Sequence, residues 1–200
     1  VPSNTPTIGR YENALTWSPT IDDYTIFTSG SGETTLSTSA SENWKITGID
    51  TVDGTTFDNY ALFPTAGTIR DLYVKLDVAP GAGDSRTFTV GGIDCTISES
   101  ATTCNSDTDT HAIVAEDLEL MITSLSGTPE ASIAWWGLVF VPTTTGQFVM
   151  IGTSDGSLDN TLTEYLPIIS YGDWNWTATE DDNFQVANAF TVKHMYILLE

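Results

Sequence analysis

"ASIAWWGLVFVP" spans residues 131–142 and carries the strongest core signal in the chain. Successive side chains of a strand point to opposite faces. Ile133, Trp135 and Val139 therefore share one side, and Ala134, Trp136, Leu138 and Phe140 share the other. Both sides are apolar. An antiparallel sheet ordinarily leaves one face to water, so a strand with two apolar faces asks for cover on both. One cover is a sandwich core. The other is an extra layer of the same chain or a neighbouring subunit, and Trp136, Leu138 and Phe140 are assigned to that assembly interface as an exposed apolar patch.

Outward from this stretch, short β-branched or aromatic runs alternate with clusters of Gly, Ser, Asp and Pro. Strands are predicted at 24–28, 44–49, 69–77, 87–90, 95–98, 113–114, 119–123, 132–141, 148–151, 165–169 and 191–199. Turn signals separate them: "TSGSGE", "TVDGT", "APGAGDS", "SGTPE", "PTTTG" and "TSDGS". Helix signals are nearly absent. The one tempting segment, residues 112–125, reads better as strands around an acidic turn, with Leu118, Leu120 and Ile122 on one face and Glu119 and Met121 on the other. The fold class is all-β: an antiparallel β-sandwich, jelly-roll-like.

The chain also repeats itself. "TIRDLYVKLD" (68–77) aligns without a gap to "TVKHMYILLE" (191–200), 123 positions on. Ile69 meets Val192, Arg70 meets Lys193, Leu72 meets Met195, Tyr73 meets Tyr196 and Val74 meets Ile197. Upstream, residues 24–46 match 148–176 in order: apolar strand, Gly/Ser/Asp turn, polar stretch, tryptophan. Three parts follow: an N-terminal arm at 1–19 that could be a donated strand, a sandwich unit at 20–143, and a partial second unit at 144–200. An isolated part-sandwich leaves a strand edge unpaired. The second unit is therefore expected to be completed by the first unit or by another subunit, with Tyr196 and Leu198 joining the interface, or else to be a truncated piece.

"LYVKLDVAPGAGDSRTFTV", "CTISESATTC", "SDTDTHAIVAEDLELMITSLSGTPEASIAWWGLVF" and "PTTTGQFVMIGTS" together resemble the tandem β-sandwich modules of phage virion proteins and environmental bacterial surface proteins. The resemblance covers residues 68–176 and consists of strand and turn residues. It implies a scaffold or fibre role and carries no catalytic residue across.

Charge narrows the partners. Twenty-seven acids against six bases give a net charge of −21, so phosphate-binding clusters of Lys and Arg cannot form and nucleic acid is excluded as a partner. An anionic membrane surface would repel the chain, and no apolar run is long enough to span a bilayer. The chain opens on Val1 with no basic or apolar leader, which fits a mature chain or an excised piece. Cys95 and Cys104 flank the tight "SESA" link and are expected to pair across a hairpin, outside a reducing cytosol. Two thiols without C-x-x-C spacing do not make a zinc site.

Catalytic sets do not assemble on paper. The two histidines, His111 and His194, read as surface residues, no serine sits in a nucleophile elbow, and adjacent acid pairs such as Glu116/Asp117 point to opposite strand faces. No cofactor is expected, except calcium. Asn105, Asp107 and Asp109 open like a calcium loop but lack the glycine and glutamate of an EF-hand; Asp155, Asp159 and 180–182 form comparable acidic turns. Trp17, Trp174 and Trp176 lie in polar surroundings and could form a platform for a surface glycan. The leading expectation is a non-enzymatic, self-assembling subunit of an extracellular filament or virion, a homopolymer. The alternative is a carbohydrate-binding adhesin domain.

Overall fold

The computed structural model describes residues 24–49, 60–152 and 159–165, with 191, 192, 195 and 197. They form an all-β sandwich. The strands are β1 Thr25–Gly30, β2 Glu42–Trp44, β3 Gly48–Ile49, β4 Ala61–Leu62, β5 Gly67–Leu76, β6 Gly81–Val90, β7 Ile93–Glu99, β8 Thr103–Ile113, β9 Leu118–Glu119, β10 Met121–Ser126 and β11 Ala134–Pro142. One sheet runs β3-β1-β11-β5-β8, the facing sheet runs β2-β10-β6-β7, and β4 pairs with β9. All pairings are antiparallel except β1 with β3.

The quoted stretch is the central strand β11, and its two faces separate as the period of two requires. Ala134, Trp136, Leu138 and Phe140 are buried against the second sheet, where the Trp136 ring meets Trp44 at 6.1 Å and Phe88 at 6.3 Å. Placing Trp136, Leu138 and Phe140 at an intersubunit interface is therefore corrected: they are the sandwich core, each worth about 2–3 kcal/mol of burial. The outward face belongs to Trp135 and Val139.

Phe63, beside β4, closes one end of the core by packing on Phe140 at 5.1 Å and Phe27 at 5.8 Å. Gly67 makes that packing feasible, because a Cβ there would fall inside the Phe140 ring. At the opposite end, Arg86 enters the core and donates to the carbonyls of Ser37 at 2.7 Å and Glu130 at 3.0 Å. Those bonds tie the loop after β1 to the loop before β11.

Three local expectations change. Asn105, Asp107 and Asp109 do not open a loop but belong to an eleven-residue strand, β8. Residues 121–123 are in the opposite phase to the sequence reading: Met121 and Thr123 are buried and Ile122 is outward, because β9 and β10 pair in different sheets and the alternation changes phase between buried Leu120 and buried Met121. Residues 148–151 form no ladder, yet Val149 and Ile151 are buried in the sandwich core and the Val149 amide donates to the Thr25 hydroxyl at 3.2 Å. The acidic turn within 112–125 is found at 114–117, where the Asp117 carboxylate accepts the Val114 amide at 2.7 Å. The arm at 1–19 and most of 166–200, including Tyr196 and Leu198, lie outside the described residues.

Candidate functional site

The outer face of the five-stranded sheet is built by three neighbouring strands. Register places Ile26 beside Val139, Gly137 between Thr28 and Tyr73, and Trp135 beside Lys75. Ile26, Tyr73 and Trp135 are 41%, 49% and 45% exposed. Aromatic rings held on a flat, hydrogen-bonded platform lose little freedom on docking, which is why Tyr, Trp and Arg favour contact surfaces.

Arg70 reaches this face through a bulge. A regular strand would put Arg70 on the side of Leu72 and Val74, opposite Lys75. The register shifts between Arg70 and Leu72, where Asp71 adopts a left-handed φ of 55°, and Arg70 emerges beside Val139 instead. Its Nε donates to the Asp71 carboxylate at 2.7 Å, and the guanidinium lies 5.4 Å from the centre of the Tyr24 ring. The Asp71 bond raises the Arg70 pKa further above an already high value. Of the four bases among the described residues, Lys45 and Arg86 are buried, so Arg70 and Lys75 on this one face are the accessible pair.

A second feature is an open groove of about 280 Å³ outside the four-stranded sheet, lined by Asn43, Tyr60, Thr89, Glu119 and the aliphatic Leu118 and Ile122. At its rim the His111 ring packs over Gly91, and His111 Nε2 lies 2.9 Å from the Glu119 carboxylate. His111 is thus a strand residue joining β8 to β9, and nothing in the sequence spacing announces its partner.

The two cysteines pair, with Cα atoms 5.7 Å apart. The hairpin geometry is corrected: β7 and β8 belong to different sheets, so the Cys95–Cys104 bond staples the two layers along one side of the sandwich. A disulfide is consistent with an extracellular or otherwise oxidising location. Among the described residues, no helix is long and apolar enough to cross a membrane.

Asn105, Asp107 and Asp109 stand on the edge strand β8, not on a loop, and the Asp109 carboxylate accepts a bond from the Ser106 hydroxyl at 2.5 Å. Among the described residues, no three His, Cys, Asp or Glu side chains converge as metal ligands would. Asp159 closes its own turn, accepting from the Thr161 hydroxyl and amide at 2.6 Å each and the Leu162 amide at 3.0 Å. The Thr161 bonds hold its carboxyl below the ordinary range. Trp17, Trp174, Trp176, Asp155, residues 180–182 and His194 lie outside the described residues. No protein-family model matches this chain, and no curated protein matches it.

Proposed function

We propose that the protein is a non-enzymatic structural subunit of an extracellular filament or virion, assembling through apolar faces and borrowed strand partners. The observation that carries this reading is the state of the terminal stretch. Val192, Met195 and Ile197 align with Ile69, Leu72 and Val74, which fill the core of the sandwich. The terminal three are instead 59%, 76% and 68% exposed. Apolar side chains patterned for burial and left in water favour a partner that covers them. The strand order supports the same reading. β1-β11-β5-β8 facing β2-β10-β6-β7 is the order that two interlocked Greek keys generate, and we read it as a jelly roll, an architecture used by capsid and lectin domains. Negative-stain microscopy of the purified chain tests the proposal: fibres or closed rings are expected, and dispersed monomers at every concentration would refute it.

The groove beside Tyr60 favours a second reading, a carbohydrate-binding domain of a cell or phage surface. One aromatic ring next to an amide, a hydroxyl and a carboxylate matches the mixed apolar and polar faces of a sugar. A glycan array would show selective signal that Tyr60→Ala abolishes; a blank array removes this reading.

A further inference from the structure

We infer that the outer face of the five-stranded sheet takes the acidic β7–β8 side of a second copy of this chain. The inference deepens the structural-subunit reading and rests on it, by naming the two surfaces that meet.

A molecule of net charge −21 repels its own copies over most orientations. Among the described residues, the exception is the face where Arg70 and Lys75 stand among exposed Ile26, Tyr73 and Trp135. Asp71 neutralises part of Arg70, which leaves exposed Lys75 as the main attractor. Neither β7 nor β8 contains a Lys or Arg. Both lie at the same side of the sandwich, at the rims of their sheets, and they present exposed Asp94, Glu99, Asp107 and Asp109. Charges on rim strands also prevent indiscriminate edge pairing, so this side can meet another molecule only where a complementary base awaits it. The two surfaces are different patches of one chain. A head-to-tail contact between them builds a ring where the rotation closes and an open filament where it does not.

The bulge at Asp71 is the enabling device. With a regular β5, Arg70 would point into the sandwich, and Lys75 would stand alone beside Trp135.

Sedimentation of the full 200-residue chain and four variants, at low and high salt, tests the inference. The wild type is expected to form oligomers, as rings or open filaments. Tyr73→Ser and Trp135→Ser should each weaken association about thirtyfold at either salt, as buried aromatic anchors do. Lys75→Glu should weaken it about tenfold at low salt, and that gap should shrink at high salt as screening removes the charge contribution. The double variant Asp107→Lys/Asp109→Lys should behave like Lys75→Glu, and mixing the two should restore association. If the wild type assembles and all four variants assemble equally well, the inference fails while the structural-subunit reading stands. If the wild type remains monomeric at all concentrations, with the face bare or covered by its own chain, both fail.

Discussion

Arg86 carries a guanidinium where burial penalises charge, and backbone carbonyls of two loops offset that cost. It is 1% exposed, and desolvation lowers its pKa while nearby Glu42 opposes the shift. Arginine remains charged at any ordinary pH, so its role is geometric: a fork that pins Ser37 and Glu130. Arg86→Met keeps the apolar stem and abandons those acceptors. We expect a loss of about 2–4 kcal/mol in urea unfolding, with an unchanged denaturant slope. Gly67 is the contrasting case, needed for what it lacks. Gly67→Ala should cost about 1–3 kcal/mol, because the Phe140 ring and the Val141 carbonyl must both shift; a melting temperature equal to wild type would show that the site has room. Asp159 adds a pH signature. Its folded pKa is depressed, so the turn it caps should hold at neutral pH and loosen as pH falls through that lowered value, a shift readable from its carboxyl chemical shift during an NMR titration.

At the scale of elements, strand ends and crossings follow partners more than local propensity. Eleven-residue β8 is rich in Asn, Asp, Ser and Thr, residues that favour turns, and it extends because β5 supplies ladder partners to Thr103–Ser106 and Thr110–Ile113, with Asp107–Asp109 bulging between them. The same dependence explains why β7 and β8, separated by a short link, part company into different sheets. Their disulfide then joins layers rather than neighbours. In the chain-entropy picture, closing so short a loop contributes about 2–3 kcal/mol. Cys95→Ser/Cys104→Ser, or reduction under native conditions, should lower stability by that amount in denaturant titrations. An unchanged midpoint would mean the core alone holds the layers together.

For the whole molecule, uncompensated negative charge is the main long-range force. Added salt screens self-repulsion, so the melting temperature should rise between roughly 0.01 and 0.15 M ionic strength, where the Debye length falls from about 30 to 8 Å. Through Asp107 and Asp109, calcium should add nothing beyond that at matched ionic strength. Asp107 and Asp109 stand on a strand edge, and no three ligating side chains converge among the described residues. Asp107→Asn/Asp109→Asn should therefore leave the difference between melts in calcium and in EDTA unchanged, and a smaller difference in the variant would place calcium at these residues.

The alternation in "AWWGLVF", the turn clusters and the cysteine pair are local properties, and they were enough to specify an all-β sandwich with a disulfide. Periodicity says that a strand has two faces, but not which face meets the other sheet. Trp136 and Trp135 have the same chemistry, and only the position of Trp44 and Phe88 decided that the first is core and the second surface. Likewise, no pattern in "TIRDLYVKLD" places Arg70 beside Lys75. That depends on the bulge, whose extra residues exist only relative to a partner strand. Local chemistry determined the elements, and long-range pairing decided the surface they present, because register is a relation between two strands and is written in neither one alone.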